Sequence, residues 1–367
     1  MSLTALDEFF AGPDDLPIEF AFFYEQLPEA EALAEGLART LPAFSRLRAG
    51  VPLLDVAGVE EPTEDKASRA VLFDSVQPGS HPLQCRLKLS RFRTGGGCLG
   101  ASMSHGMGDG VSLVGFLSAW ALTVSGQAPV VSAVSDVPLP PLVALDSSLS
   151  LEEQLRRAGF RLRPPTSPRV REDYRWDIRR FSVEEVDALL RDARGSHPHV
   201  TAGDVLAALL WRHYRQPELE ARAEPELGMV FDFRRVTGLL PASYFGNAGL
   251  PLRVPLSPKE AATLPVPALA ARIRTWLRSA NAGDFLRCHA LLEEVRRTWG
   301  PEGVHQVGFS MEDHGLLVNN ISRFDLSLLD FGMGAPNAFD VLTPIPRVCF
   351  IFFRGDTLEA HTSLPAI

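Results

Sequence analysis

The sequence predicts a mixed α/β protein in which helices cover β-sheets, arranged as two domains. Helical and extended patterns alternate through both halves of the 367 residues, which favours covered mixed sheets over a helix bundle or a β-sandwich. The extended run from Arg347 to Phe353 is almost wholly apolar, as expected of a central strand. The length favours two domains, because a single hydrophobic core rarely serves more than roughly 250–300 residues.

The helices are predicted from apolar spacing and from capping patterns. The stretch 29–41 has leucine at every fourth position from residue 33, which gives it one apolar face. Ser182-Val-Glu-Glu185 has the spacing of a capping box, and Gly195 is expected to end the helix that follows. Thr201-Ala-Gly-Asp204 opens another helix in the same way, and the stretch 151–160 has a helical pattern.

The strands are predicted from short apolar or alternating runs. Such runs cover residues 84–92, 100–104 and 229–233, and a helical pattern begins at Val111. The second of these runs therefore ends at a tight turn before a helix.

Proline-rich sequence separates the two halves of the chain. Val137-Pro-Leu-Pro-Pro-Leu142 and Arg163-Pro-Pro-Thr-Ser-Pro168 contain most of it. Because proline fixes φ and removes a backbone donor, we expect a surface crossover here. The domain boundary is placed near residue 170, which gives domains 1–170 and 171–367.

Composition and charge indicate a globular enzyme with small-molecule partners. The chain is 46% hydrophobic and 22% charged, with a formal net charge of −9. Nucleic acids and anionic membranes favour basic surfaces, so neither is expected as a partner. The first ten residues contain two acids and no base, and no apolar run approaches the ~18 residues of a membrane span. We expect a cytoplasmic monomer.

The four cysteines do not indicate a disulfide or a metal site. Cys85, Cys98, Cys288 and Cys349 are scattered without Cys-x-x-Cys spacing, mostly among apolar residues. They are expected to be reduced and buried. No metal is expected.

The stretch Ser104-His-Gly-Met-Gly-Asp-Gly110 is the strongest candidate for a functional site. A histidine on glycine-rich backbone at the end of a strand can face open space, which suits a general base. The alternative is a polar turn in which His105 bonds to backbone and Asp109 caps the next helix. The local sequence leaves both interpretations open.

Several segments, in order along the chain, resemble the motifs of the BAHD acyltransferases. His105-Gly-Met-Gly-Asp109-Gly110 resembles the family's His-x-x-x-Asp signature, and Tyr244-Phe-Gly-Asn247 matches a second motif as it stands. Asp330-Phe-Gly-Met-Gly334 resembles a third, in which tryptophan usually precedes the last glycine. Residues 92–100 resemble the family's Gly-Gly strand entry, and residues 116–121 resemble its helix after the histidine motif. Weaker similarities occur at 3–7 and 200–211, so the resemblance spans nearly the whole chain.

The resemblance implies a fold and a reaction. The fold would be two chloramphenicol-acetyltransferase-like domains with a channel between them. His105 would deprotonate an alcohol or amine that attacks the thioester of an acyl-CoA co-substrate, with no tightly bound cofactor. Such a reaction needs a base, a donor to the oxyanion and a channel that excludes water. No Gly-x-Ser-x-Gly pattern occurs, so a covalent acyl-enzyme is not expected.

The resemblance also implies roles for other residues. Asp109 would form a structural ion pair with Arg234, or with Arg235 if the alignment shifts by one residue. The expected structural positions are Gly110, Arg234, Tyr244, Phe245, Gly246, Asn247, Asp330, Phe331, Gly332 and Gly334. Met333, in place of tryptophan, is expected to alter packing only. Phe23 and Tyr24 would line the acceptor side.

Two sets of side chains are further candidates. The segment Val318-Asn-Asn-Ile-Ser-Arg-Phe324 lies where plant members of the family carry a Thr-Ser-Trp-like run, whose indole N–H can face the reacting carbonyl. Ile321 cannot donate, so Asn319 or Asn320, each with an amide NH₂ group, could donate to the oxyanion. The alternative is two asparagines in a turn. The C-terminal half is rich in arginine, and Arg274 and Arg278 could bind the phosphates of coenzyme A; solvated arginines on a helix are the alternative.

Other functions are weighed against this one. A condensation-type domain would take its acyl group from a carrier protein, but such domains have a second histidine where this chain has Ser104. A non-catalytic binding protein of the same fold would not need His105. The Asp-Phe-Gly sequence does not indicate a kinase, because the chain lacks a kinase catalytic loop. His105 and Asp109 have no third residue at metal-ligand spacing.

Overall fold

The computed structural model describes residues 3–13, 16–47, 49–79, 82, 84–127, 137, 140–162, 174–215, 226–309, 315–345 and 347–365. The helices in this part are α1 (Ala5–Phe9), α2 (Ala30–Thr40), α3 (Gly110–Val124), α4 (Leu151–Arg157), α5 (Val183–Ser196), α6 (Ala202–Tyr214), α7 (Pro258–Thr263), α8 (Val266–Ser279) and α9 (Ala282–His305). The strands are β1 (Ile18–Tyr24), β2 (Leu53–Val59), β3 (Cys85–Phe92), β4 (Gly97–Met103), β5 (Phe160–Leu162), β6 (Tyr174–Phe181), β7 (Leu227–Asp232), β8 (Gly249–Val254), β9 (Val307–Phe309), β10 (Leu316–Asn320), β11 (Ala338–Val341), β12 (Val348–Arg354) and β13 (Thr357–Pro365).

The first large sheet has the strand order β11-β1-β4-β3-β2. Its pairs are antiparallel except β2 with β3, which are parallel. Helix α3 buries Phe116 and Trp120 completely in the adjoining core, and the Trp120 indole donates to the Leu33 carbonyl of α2. The two helices approach so closely at Gly36 that a Cβ atom there would collide with Val124.

The second large sheet has the order β6-β13-β12-β10-β7-β8. Strand β10 is parallel to both β12 and β7, and the remaining pairs are antiparallel. Helices α5, α6 and α8 pack together over a core that contains fully buried Trp211 and Ile273. The predicted central position of the 347–353 run is confirmed, because β12 lies between β10 and β13.

Two elements cross between the halves of the chain. Strand β11 belongs to the C-terminal half by sequence but forms the edge of the first sheet, with Phe339 opposite Phe22 of β1. Helix α1, from the N-terminus, packs against α9 in a third hydrophobic cluster that includes Leu6 and Phe285. The boundary predicted near residue 170 and the prolines of 163–168 lie outside the described residues, so the boundary stays a prediction.

Three local predictions were wrong in detail. Gly195 does not end its helix: α5 continues to Ser196, because Gly195 keeps a helical backbone conformation. The helical pattern of 151–160 ends at Arg157, and Phe160 begins strand β5 instead. The strand predicted to reach Phe233 ends at Asp232, where a 3₁₀ turn follows.

A buried charge cluster holds β11 in place. Asp340 is fully buried and accepts hydrogen bonds from the side chains of Lys66 and Arg69, which are also buried. Lys66 also donates to the carbonyl of Val341, at 2.6 Å. Two basic side chains from the N-terminal half thus fix a strand that comes from the C-terminal half.

We expect Asp340→Ala to lower the free energy of unfolding by about 3–5 kcal/mol, because the buried Arg69 cation is left without its partner and Lys66 loses a hydrogen bond. Urea denaturation of the full chain measures it. The control is Glu60→Ala, which breaks an exposed pair with Arg93 and should change stability little. Equal unfolding midpoints for the two variants would contradict the prediction.

Candidate active site

A cavity of about 680 Å³ lies between the two halves of the chain. Both halves contribute to its wall, which is mainly apolar and aromatic. Residues from the N-terminal half include Phe9, Phe10, Phe20, His105 and Val114, and those from the C-terminal half include Phe231, Phe309, Asn319, Phe324 and Phe350. Its volume is within the ~300–1,000 Å³ typical of small-molecule sites.

His105 lies in the wall of this cavity, in a 3₁₀ turn that follows β4. Its Nδ1 atom is 3.1 Å from Asn247 Oδ1, and Asn247 Nδ2 donates to the His105 carbonyl oxygen at 3.0 Å. Phe10 stacks on the imidazole, with the ring centroids 4.1 Å apart and the planes 11° from parallel. The ring is therefore held both at one edge and on one face.

Asp109 is the N-cap of α3 and the centre of a saturated hydrogen-bond network. Its Oδ1 accepts from Ser112 N at 3.0 Å and from Arg234 at 2.9 Å. Its Oδ2 accepts from Arg234 at 2.9 Å and from the backbone N–H groups of Ala248 and Gly249. The carboxylate thus accepts five hydrogen bonds, which is at least as many as its roughly four lone-pair positions provide for, so no acceptor position is left over. The capping interpretation and the ion-pair interpretation both describe this residue.

Arg234, and not the alternative Arg235, is the partner of Asp109. The Arg234 side chain is buried, whereas that of Arg235 is 57% exposed and lies 4.0 Å from Asp232. Burial raises the pKa of Asp109, but the charge and hydrogen bonds of Arg234 outweigh this effect and lower that pKa to about 2. The carboxylate is therefore ionised at neutral pH.

The same ion pair holds the loop that contains Asn247. Arg234 donates to the carbonyl oxygens of Tyr244 and Gly246, each at 2.9 Å. Ser112 Oγ donates to Gly246 O at 2.9 Å and accepts from Gly246 N at 3.0 Å. A Cβ atom on Gly246 would meet the Tyr244 hydroxyl at 2.5 Å, so a larger residue does not fit. The buried ring of Phe245 packs against Phe44, 5.5 Å between centroids.

The contact between Asn247 and His105 was missed in the sequence. Asn247 was predicted to be structural, and nothing in the local pattern joins it to a histidine 142 residues away. The motif itself offered one clue to this contact: Asn247 has a polar amide beside Gly246, and the sequence predicted no partner for that amide.

The two asparagines of β10 have different surroundings. Both line the cavity. Asn320 Oδ1 accepts from Ser322 N at 3.1 Å and from Ser322 Oγ at 2.7 Å, so the turn interpretation describes this residue. Because side chains alternate along a strand, Asn319 shares the face of Leu317, which also lines the cavity.

The predicted phosphate-binding arginines are separated by the structure. Arg274 lines the cavity, but its guanidinium donates to Asp204 Oδ2 at 2.7 Å and to Thr201 Oγ1 at 2.5 Å. Arg278 is exposed and lies outside the cavity lining as far as the described residues define it. Other arginines of this region form ion pairs: Arg272 with Glu260, Arg296 with Glu8 and Glu293, and Arg297 with Glu294.

The C-terminal motif, residues 330–334, is not part of the cavity lining that the described residues form. Asp330 Oδ1 accepts from the N–H groups of Gly332 and Gly334, at 2.7 and 2.8 Å, and both glycines have positive φ. Phe331 packs edge-on against Trp120 of α3, and Met333 is 47% exposed. The motif therefore braces α3.

The expected acceptor-side role of Phe23 and Tyr24 was wrong. Within the described part of the chain neither residue lines the cavity, and the Tyr24 hydroxyl donates to Leu329 O at 3.1 Å. Their strand β1 turns them toward other parts of the core.

The four cysteines are free, and three of them are buried. Among the described residues, no three His, Cys, Asp or Glu side chains are grouped closely enough to bind a metal ion. No helix of the described part is long and apolar enough to cross a membrane.

We expect Asp109→Ala to lower the free energy of unfolding by about 3–5 kcal/mol, because Arg234 is left buried without its partner. Arg234→Ala should have a similar effect, whereas Arg235→Ala is the matched control with an exposed side chain. Thermal unfolding and soluble yield measure the difference. Parent-like stability of Asp109→Ala together with lost turnover would instead assign Asp109 to the orientation of His105.

The ion pair between Asp109 and Arg234 also makes the stability of the protein fall at acidic pH. The pKa of Asp109 is lowered from an ordinary 3.8 to about 2, so its stabilisation is complete above about pH 4 and is lost as the pH falls toward 2. Asp109→Asn should therefore flatten the dependence of stability on pH across this interval.

Comparisons with known proteins identify the family. A model of the Transferase family matches residues 48–344. Spermidine sinapoyl-CoA acyltransferase of Arabidopsis thaliana is 26% identical over 297 residues, which are 75% of this chain and 60% of that protein. O-acetyltransferase epaC of Aspergillus niger is 28% identical over 225 residues, 56% of this chain and 47% of that protein. The chain thus spans less than two thirds of either relative.

Solved structures share the fold. Apo TRI101 of F. graminearum superposes with a TM-score of 0.74 at 15% identity, over 99% of this chain and 94% of that chain. Vinorine synthase gives a TM-score of 0.68 at 18% identity, over 99% and 89%. The expected chloramphenicol-acetyltransferase-like fold is confirmed. Since the family model covers most of its length, the chain belongs to the Transferase family, that of the BAHD acyltransferases.

Proposed function

We propose that this protein transfers an acyl group from a CoA thioester to an alcohol or amine, with His105 as the general base. The observation that carries the proposal is an imidazole held by Asn247 and Phe10 in the wall of a cavity between the two halves. A base at such a position can receive the acceptor's proton as attack occurs.

In the proposed reaction His105 alone carries the proton that passes from the acceptor to the departing thiolate. The acceptor oxygen or nitrogen forms a bond to the thioester carbonyl carbon while its proton passes to the imidazole. The tetrahedral intermediate then breaks its carbon–sulfur bond, and the imidazolium returns the proton to the departing thiolate. The products are the ester or amide and free CoA thiol. No covalent acyl-enzyme is required.

The cavity supports a reaction that must exclude water. Its wall is mainly apolar, and the acids that border it near His105 and near α6 are held in ion pairs: Asp109 with Arg234, and Asp204 with Arg274. An apolar wall lowers the competing hydrolysis of the thioester and strengthens the electrostatic contacts inside.

Relatives support CoA as the acyl donor. One relative is named as a sinapoyl-CoA acyltransferase, and TRI101 of F. sporotrichioides was crystallised with coenzyme A and T-2. Of the two arginines predicted to bind phosphate, Arg274 is the stronger candidate because it lines the cavity. Arg278 is the weaker one because its side chain is exposed elsewhere.

A carrier-protein donor is the second candidate function. The first condensation domain of the CDA synthetase superposes with a TM-score of 0.58 at 14% identity, which is a likeness of fold alone. Ser104 in place of a second histidine favours the CoA-dependent reaction. The net charge of −9 favours small-molecule partners over nucleic acid or an anionic membrane. We also propose a monomeric state, a cytoplasmic location and a role in secondary metabolism.

His105→Ala should reduce turnover by about 10²- to 10⁴-fold, the usual contribution of a general base. The measurement is release of free thiol from a panel of acyl-CoA thioesters with mixed alcohol and amine acceptors. The matched control is His199→Ala, which removes an exposed histidine outside the cavity lining. Unchanged turnover by His105→Ala, with a substrate pair that the parent accepts, would remove the role proposed for this residue.

Asn319 is the proposed donor to the oxyanion. We expect Asn319→Ala to lower kcat by about 10²- to 10³-fold with little change in KM, because the bond strengthens as negative charge develops. Asn320→Ala is the matched control on the neighbouring position, and its kcat should change less. A larger loss of kcat in Asn320→Ala than in Asn319→Ala, at equal stability, would reverse the assignment.

A further inference from the structure

Asp7 lies next to the site although it belongs to helix α1, near the N-terminus. It is 1% exposed, and its Oδ1 atom is 3.1 Å from Asn247 Nδ2. We propose that Asp7 and Asn247 are positioning residues that keep the proton of neutral His105 on Nδ1 and its lone pair on Nε2. The inference rests on the proposed function only in assuming that His105 is the base.

The orientation of the Asn247 amide follows from what surrounds it. Its Nδ2 atom faces two oxygens, Asp7 Oδ1 at 3.1 Å and the His105 carbonyl at 3.0 Å. An ionised carboxylate and a backbone carbonyl can only accept hydrogen bonds. Turning the amide over would place Oδ1 against both of them and would lose two hydrogen bonds. The NH₂ group must therefore face Asp7, and Oδ1 must face the imidazole.

This orientation determines the tautomer of His105. An amide oxygen can only accept, so the ring nitrogen 3.1 Å from Asn247 Oδ1 must carry a hydrogen. That nitrogen is Nδ1. A neutral imidazole has a single N–H, and its lone pair is then on Nε2. The opposite tautomer would have its lone pair on Nδ1, where Asn247 blocks the approach of an acceptor.

Other side chains hold the Asp7 carboxylate in place, so it can orient the Asn247 amide. Its Oδ2 atom accepts from Arg46 at 2.9 Å and from Thr4 Oγ1 at 2.9 Å, and the Thr4 N–H completes a capping box. With Oδ2 occupied, Oδ1 is directed to Asn247. Arg46 also donates to the carbonyl of Met107, at 3.1 Å, in the turn that carries His105. The network therefore begins and ends at the same turn.

The isosteric change Asp7→Asn separates this role from a structural one. Arg46 and Thr4 both donate, so they keep the oxygen of the new amide on their side. Its NH₂ group then faces the NH₂ group of Asn247, and two donors oppose each other. Reversal of the Asn247 amide relieves this contact and brings Nδ2 to the imidazole, although the hydrogen bond to the His105 carbonyl is lost. A donor at that position favours a lone pair on Nδ1, so the tautomer of His105 shifts.

The test is a long-range ¹H–¹⁵N NMR spectrum of the full chain labelled with ¹⁵N-histidine, at about pH 8, where an ordinary histidine is neutral. The chain has nine histidines, and the signals lost in His105→Gln identify those of His105. In the parent we expect a protonated Nδ1 and an unprotonated Nε2. In Asp7→Asn we expect the Nε2–H form to gain population. The matched control is Glu8→Gln, which makes the same chemical change one residue further along α1, where the partner is Arg296.

Kinetics form the second measurement. Asp7→Asn should lower kcat by about 10²- to 10⁴-fold with little change in KM, since a wrong histidine tautomer costs about 10⁴ in kcat in a serine protease. Glu8→Gln should keep the parent kcat. A merely structural role would lower thermal stability without moving the NMR signals of His105.

The outcomes distinguish this inference from the proposed function. An Nε2–H tautomer in the parent overturns the inference. This measurement requires no variant, so the inference can be tested even if Asp7→Asn folds poorly. A tautomer that is the same in Asp7→Asn and in the parent also overturns it. A shifted tautomer with parent-like turnover supports the positioning of the ring but contradicts the role of His105 as the base.

Discussion

The buried ion pair between Asp109 and Arg234 is the constraint on which the site depends. Asp109 starts α3 in the N-terminal half, and Arg234 follows β7 in the C-terminal half. Apolar contacts across the cavity are non-directional and allow many arrangements. A desolvated charge pair is favourable only when its hydrogen bonds are complete, and here five donors reach one carboxylate. The pair thereby fixes one half of the protein against the other.

The position of His105 follows from that constraint in two steps. Arg234 and Ser112 hold the backbone of Gly246, and the next residue, Asn247, reaches the imidazole. One face of the ring is covered by Phe10, which directly follows α1. Helix α1 packs against α9 of the C-terminal half, so the residues around His105 are held by elements of both halves. Helix α1 packs on the C-terminal half and strand β11 pairs with the first sheet, so both elements also hold the two halves together.

The sequence predicted those features that local chemistry determines. Capping boxes at Ser182 and Thr201, the central strand β12 and the turn at His105 all depend on residues a few positions apart. The partner of Asp109 was reached only through a family resemblance. Strand β11 was not predicted, because four residues carry too short a pattern and its pairing with β1 spans more than 300 residues. The partners of Arg274 were missed for the same reason, since Asp204 is 70 residues away.

Tryptophan of the family pattern is absent at two places in this chain, and the physical consequences differ. At Met333 the turn is formed by backbone N–H groups bonded to Asp330, so the side chain at this position is exposed and can vary without loss of the turn. At Asn319 the side chain itself borders the cavity. If Asn319 donates to the oxyanion, as proposed above, the reacting carbonyl must lie closer to β10 than an indole donor would require, because an amide side chain is shorter. On that proposal, an asparagine donor in place of an indole would change where the thioester binds, and not only which group stabilises its oxyanion.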